Sequence, residues 1–299
     1  MANRWLNGAV TLACAVVAVS ACGQASDGGP TTVTETVVAP PSSTTSSGVS
    51  VPTRPVAGAA ELRRGWKALS RSLSQPVSVS IVGVGTSASQ RIDLGTLPTQ
   101  VAWSTIKVPL AIAAEREHGS MTATAAAITQ SDNASAEELW SSLGGGVQAS
   151  KSVMTVLRQA GSGAQVPSQR LLAGFTVFGQ TPWPTPDAAT FAASLPCLPD
   201  AKRVLGYMGG VAGNQRWGVE IMAAPKATAV KGGWGPSPTS GYVVRQIGVL
   251  TFADGSKTAV AMTTVAAGGS LESGTSALNQ VARWLNTKVE RLPRGVCAR

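Results

Sequence analysis

Strand-like runs stand at both ends of the ordered part of this chain and helical runs fill the middle, an order that narrows the folds open to it more than any other feature. Pro76-Val77-Ser78-Val79-Ser80-Ile81-Val82 alternates as a strand does, the Gly/Ser-rich stretch Gly83 to Gln90 reads as a hairpin loop, and Arg91 to Leu97 reads as a short second strand. The pattern returns to sheet at Ala227 to Trp234, Tyr242 to Phe252 and Lys257 to Val265, with Ala253-Asp254-Gly255-Ser256 as a tight turn. Helical spacing flanks these strands, with Leu62, Trp66, Leu69 and Leu73 inside Ala59 to Ser74, and Leu278, Val281, Ala282, Leu285 and Val289 near the end. Further helical runs follow Ser104, include Met121 to Ile128, and continue through Thr129 to Trp140 and Ser150 to Gln159. Thr185-Pro186-Asp187 opens another, with Thr as N-cap and Pro at the first position. Gly161 to Pro184 reads as a long loop, and Pro199 to Gly218 has no clear period. The order predicts an α+β layer in which the first two strands join the last three.

Three polar clusters stand out against this frame. Trp103-Ser104-Thr105-Ile106-Lys107 opens the apolar run Val108-Pro109-Leu110-Ala111-Ile112-Ala113-Ala114, with Pro109 in the first turn, where a missing N–H costs little. Residues three apart on a helix share a face, with Cβ atoms roughly 5–6 Å apart, so Lys107 is expected one turn above Ser104 and close enough to take its proton. By itself this stretch also reads as an N-capping serine followed by a surface lysine. Ser131-Asp132-Asn133 and Lys231-Gly232-Gly233 follow further along. In this order the three clusters resemble the S-x-x-K, S-D-N and K-T-G marks of the serine β-lactamase and penicillin-binding-protein family, class A enzymes above all. The resemblance extends through Ile128 to Ala136, the turn Leu143-Gly144-Gly145, the Asp254-Gly255 hairpin and the terminal helix, and spans residues 59–299. It implies a five-stranded antiparallel sheet flanked by helices from both chain ends, built from about 59–101 and 212–299. An all-α part of about 102–211 would be inserted between them.

The same resemblance implies roles. Ser104 is the nucleophile on an acyl carbonyl. Lys107 is its base, which needs a neutral amine, and partial burial and the nearby charge of Lys231 both push its pKa down. Ser131 relays a proton to the leaving nitrogen, and Asn133 hydrogen-bonds a substrate amide. Lys231 supplies positive charge for a substrate carboxylate, Gly233 and Trp234 continue the substrate-binding strand, and the N–H groups of Ser104 and Trp234 form the oxyanion hole. Arg245 stands on the next strand, where class A enzymes often keep a carboxylate-binding arginine, and it reads equally as a surface strand arginine. The implied substrates are β-lactams, D-alanyl peptides or another cell-wall-type amide or ester, with no metal or organic cofactor.

Two departures bear on turnover. Class A enzymes deacylate with a glutamate on an omega loop, and between Gly144 and Trp217 this chain has no glutamate. Asp187 is the nearest acid, and at a helix N-terminus it serves the macrodipole. Ser168, Gln169 and Gln180 could hold a water but not accept its proton. Gly232, in the middle of K-T-G, removes the hydroxyl that usually binds the β-lactam carboxylate. An acyl-enzyme that forms slowly and persists is therefore expected, with a non-catalytic lipoprotein that binds an envelope ligand or protein as the rival reading.

The first 21 residues carry Arg4 and an apolar run from Gly8 to Val19, too short to span a bilayer, and read as a secretory signal. Val19-Ser20-Ala21-Cys22 resembles the lipobox of bacterial lipoproteins, which implies cleavage before Cys22, a lipid on its sulfur and an extracytoplasmic, membrane-anchored product. An ordinary signal with an incidental cysteine is the alternative. With Cys14 removed and Cys22 acylated, Cys197 and Cys297 remain as a pair that an oxidising exterior would bridge. In the chain-entropy model, closing so long a loop is worth about 4–5 kcal/mol. Residues 22–58 are dominated by Ser, Thr, Pro, Gly and Val and read as a disordered tether reaching roughly 30 Å. The net charge of +9 is scattered, with few aromatics interleaved, which argues against a nucleic-acid surface. The single histidine, His118, lies in the solvated run Glu115 to Gly119, so neither a zinc site nor a histidine base for Ser104 is expected. A monomer is expected.

Overall fold

Strands from both ends of the chain meet in one antiparallel sheet. The first end supplies β1 (Val77–Gly83) and β2 (Ile92–Leu94), and the second supplies β3 (Ala227–Pro236), β4 (Tyr242–Thr251) and β5 (Lys257–Ala266). Their order is β2-β1-β5-β4-β3, so β1 closes onto β5, with Val79 opposite Met262. The computed structural model describes residues 58–85, 90–239 and 241–298. The signal segment, Cys22, nearly all of the tether and the tip of the first hairpin therefore lie outside the described residues.

The helices are α1 (Ala59–Leu69), α2 (Lys107–His118), α3 (Thr122–Thr129), α4 (Asn133–Ser142), α5 (Gly146–Gln159), α6 (Thr185–Ser194), α7 (Lys202–Met208) and α8 (Leu271–Asn286). Because side chains alternate across a strand, the sheet has two distinct faces. Val79, Ile81, Val244, Val260 and Met262 pack on one side with Leu62 and Trp66 of α1 and Leu278, Val281 and Leu285 of α8. Val82, Ile247, Ala259 and Ala261 point the other way, into a core shared with the middle helices. Lys231 pairs with Ile247, and Gly233 with Arg245, so all four belong to this second face. That register aims a lysine and an arginine at the helical layer.

At the centre of that layer lies α2. Every residue from Lys107 to Ala114 is buried, and α3, α4 and α5 surround it. A helix with no polar face for two turns has to be enclosed on all sides. The helix α6 packs directly on β1, β4 and β5 although it comes from the middle of the chain.

Several boundaries differ from the periodicity. Helix α1 ends at Leu69 rather than Ser74, because Ser72 donates its hydroxyl to the Leu69 carbonyl at 2.8 Å and satisfies the helix end locally. Helix α8 begins at Leu271, seven residues before the apolar spacing shows, because Ser270 and Ser273 close a capping box. Helix α5 begins at Gly146, after Gly144, Gly145 and Gly146 have all taken positive φ. The patternless stretch before β3 contains α7 and short 3-10 turns. Cys197 and Cys297 are bonded, with Cα atoms 5.3 Å apart, and join the turn after α6 to the C-terminal tail. Among the described residues no helix is long and apolar enough to cross a membrane.

Candidate active site

Ser104 lies in a 3-10 turn, Trp103–Ile106, that runs straight into α2. Trp103 has φ of 44° and Ser131 has φ of 59°, the only non-glycine residues at positive φ among the described residues. A bulky side chain in the left-handed region is strained by roughly 1–3 kcal/mol and persists only where packing over-determines it. For Trp103 the packing is visible: its ring meets Phe175 edge-on at 5.0 Å and covers Gly235, where a Cβ would come within 2.7 Å of the indole. The strand β3 passes directly against the turn. A Cβ on Gly233 would stand 2.9 Å from the Ala102 carbonyl oxygen and 2.9 Å from the Ser104 amide nitrogen, so only a glycine permits this approach.

Two lysines converge from opposite sides on the turn that contains Ser131. From α2, Lys107 Nζ donates to the Ser131 carbonyl at 2.6 Å, the Asp132 carbonyl at 3.1 Å and Asn133 Oδ1 at 2.7 Å. From β3, Lys231 Nζ donates to Ser131 Oγ at 2.8 Å, to the Gly232 carbonyl at 2.9 Å and to Gln215 Oε1. Both side chains are shut off from solvent, at 1% and 0% exposure. Burial pulls the Lys107 amine down to about 8, against the opposing charges of Asp132 and Glu137. Burial, followed by the charge of Lys107, holds Lys231 well below the ordinary lysine value.

Ser104 and Lys107 are not hydrogen-bonded to each other, contrary to the expectation from their spacing, and the Ser104 hydroxyl has no partner among the described residues. The reason is local. The left-handed Ser131 turns two carbonyls inward, and these with Asn133 Oδ1 take all three donors of the ammonium.

A cleft of about 680 Å³ opens over Ser104 and is lined by Ser104, Ser131, Asn133 and Trp234. Lys107 and Lys231 stand behind this wall rather than in it. Asn133, with its carbonyl oxygen committed to Lys107, keeps its amide N–H groups for a ligand. A second cavity of about 650 Å³, beside Glu115 and Tyr207 at the far end of α2, contains none of the expected site residues. Among the described residues no cluster of His, Cys, Asp and Glu could hold a metal ion.

Three expectations need correction. Arg245 is neither on the surface nor in the cleft. Register places it on the helix-facing side of β4 at 1% exposure, where Nη1 donates to the carbonyls of Gln100, Val101 and Trp183 at 3.3, 3.1 and 2.9 Å. Its charge lies over the Trp183 ring at 5.6 Å, and burial lowers its pKa to about 9. Gln180 is likewise unavailable to hold a water. Its amide is spent inside the loop, accepting from the N–H groups of Leu171 and Leu172 and donating to the carbonyls of Leu172, Phe175 and Thr176. Lys231 does not line the cleft, because its amine is bonded to Ser131 Oγ, Gln215 Oε1 and the Gly232 carbonyl behind the cleft wall.

Other residues at the site carried no sequence signal. Gln215, in the patternless stretch, accepts from Lys231 Nζ and from the Gly232 N–H at 3.1 Å, and donates to the carbonyls of Ile128 and Thr129, so it ties β3 to the end of α3. Trp217 fills the space beside Gly232, where a Cβ would lie 2.6 Å from its ring. Glu137, Arg170, Phe175 and Tyr242 also line the cleft.

No family model matches the chain, and no curated protein matches it. Solved structures do. A variant of the class A β-lactamase of the last common ancestor of Gram-negative bacteria is 16% identical with a TM-score of 0.58, over 77% of this chain and 98% of that one. The TLA-3 extended-spectrum β-lactamase is 13% identical with a TM-score of 0.59, over 76% and 99%. A β-lactamase from Desulfarculus baarsii is 20% identical with a TM-score of 0.53, over 76% and 98%.

Proposed function

We propose that this class A β-lactamase-like fold works as a serine hydrolase in which Ser104 attacks a strained or activated amide or ester and becomes acylated. The observation that carries the reading is the convergence of two buried, pKa-lowered lysines on the Ser131–Asn133 turn beside a free serine hydroxyl that faces a cleft. Neutral Lys107 has two N–H groups, so one of its three acceptors is released and its lone pair becomes available to Ser104. Lys231, bonded to Ser131 Oγ, orients that hydroxyl to pass a proton to the leaving nitrogen, and the Ser104 amide, held against β3 at Gly233, supports an oxyanion site.

The similar solved structures are β-lactamases by name, which supports a β-lactam or related cell-wall amide as the acyl donor. The lipobox-like Val19-Ser20-Ala21-Cys22 supports an extracytoplasmic, lipid-anchored location, with residues 59–299 acting as the catalytic unit. A second reading, a binding lipoprotein without catalysis, is favoured by the full engagement of Lys107 and by the indole packed beside Gly232. Labelling the purified protein with a fluorescent penicillin and, separately, with a fluorophosphonate, followed by intact mass, separates the two. An adduct lost in Ser104→Ala supports the hydrolase, and no adduct with either probe supports the binding protein.

A further inference from the structure

An acylated Ser104 turns over only if a water is deprotonated beside it, and the cleft wall restricts which group can do this. Ser131 Oγ and Asn133 Oδ1 each accept a bond from a lysine. Arg170 offers only N–H donors, and the Tyr242 phenol, with its pKa raised by burial, is a weak acid rather than a base at neutral pH. Glu137 is the single carboxylate among the residues that line the cleft. It follows Asn133 by one turn on α4, so the two share a face, and Asn133 is itself bonded to Lys107. Glu137 lies close enough to Lys107 for its charge to favour the ammonium, yet it has no hydrogen bond or ion pair with any described residue. A carboxylate that lines the same cleft as the nucleophile, with both oxygens unclaimed among the described residues, is placed to hold a water.

We infer that Glu137, on the helix after the Ser131 turn, is the general base that hydrolyses the Ser104 acyl ester; the inference rests on the acyl-serine reading above. In this step the Glu137 carboxylate takes one proton from a water while the water oxygen bonds to the acyl carbon. The tetrahedral intermediate then collapses, the bond from the acyl carbon to Ser104 Oγ breaks, and that proton passes to Oγ. Products are a free acid, the serine hydroxyl and an ionised Glu137. The persistent acyl-enzyme expected from the missing loop glutamate is thereby replaced by one that clears.

The test uses the full chain, a fluorescent penicillin and intact mass to follow both formation and decay of the adduct. Glu137→Gln keeps shape and removes basicity. Its acylation should not fall, because losing the charge that favours the Lys107 ammonium raises the share of neutral amine, while its adduct lifetime lengthens by about a hundredfold or more. Glu137→Asp, with a displaced carboxylate, should decay at a rate between the two. Hydroxylamine attacks an ester without a general base, so the decay rate it adds, taken as the slope against its concentration, should agree within about threefold between wild type and Glu137→Gln. A Glu137→Gln adduct that decays as fast as wild type overturns the inference, as does a wild-type adduct that never decays; both leave Ser104 as the nucleophile. Absence of any Ser104 adduct overturns the hydrolase reading and this inference together.

Discussion

The pH dependence of Ser104 acylation puts the two-lysine arrangement to a quantitative test. With the Lys107 amine at about 8, about one amine in eleven is neutral at pH 7 and about ten in eleven at pH 9, so the acylation rate should climb roughly tenfold across that interval. An unperturbed lysine would be neutral at pH 7 about 300-fold less often, which is the advantage that burial at 1% exposure supplies. The sign of the linked stability effect is fixed as well. Between about pH 8 and the ordinary lysine value the unfolded chain binds the proton that the folded one releases, so Lys107 makes stability rise with pH in this window and depresses it fully below. Second-order rate constants for a fluorescent penicillin, taken from pH 6 to 9.5 under stopped flow, give the profile directly. Lys107→Met should lower the rate by about 10²- to 10⁴-fold and abolish the step near pH 8. A flat wild-type profile refutes the assignment. A step that survives in Lys107→Met moves the base to Lys231, whose amine is also held low and already touches Ser131.

Two further expectations concern the frame around the nucleophile. Gly233→Ala forces a Cβ to within 2.9 Å of backbone atoms of Ala102 and Ser104, and because backbone cannot yield as a side chain end does, acylation should fall by about 10²-fold with a loss of about 1–3 kcal/mol in urea titration; acylation within a factor of three of wild type would show that β3 does not position Ser104. Replacing Cys197 and Cys297 by serine should lower stability by about 2–5 kcal/mol, read as a lower denaturation midpoint, since the bond spans 100 residues and ties the tail to the end of α6; an unchanged midpoint would mean that packing alone secures the tail.

Sheet order, the two helices on its outer face and the buried α2 were legible because each rests on periodicity or on an unbroken apolar run, signals that packing amplifies. Convergence of Lys107, Ser131 and Lys231 was legible through motif order. What periodicity could not convey was direction. Arg245 differs from a cleft residue only in what neighbouring chain covers it, and here the carbonyls of Gln100, Val101 and Trp183 close over its guanidinium. Lys107 lies one turn from Ser104 as expected, but its bonding was decided by the left-handed φ of Ser131, which no local pattern encodes. Gln215 and Glu137 were invisible for a related reason. A lone glutamine before a strand and a glutamate in an ordinary helix have no distinctive spacing, and only the fold brings one to Lys231 and the other to the cleft.

The indole beside Gly232 has a consequence for the paths along which this chain can change. A threonine there would drive its Cβ to within 2.6 Å of the Trp217 ring, and a smaller residue at 217 would leave a gap beside the bare Gly232 backbone. A side chain at position 232 and the indole at position 217 compete for one space, so the two positions are locked to one another and an exchange at either has to be matched at the other.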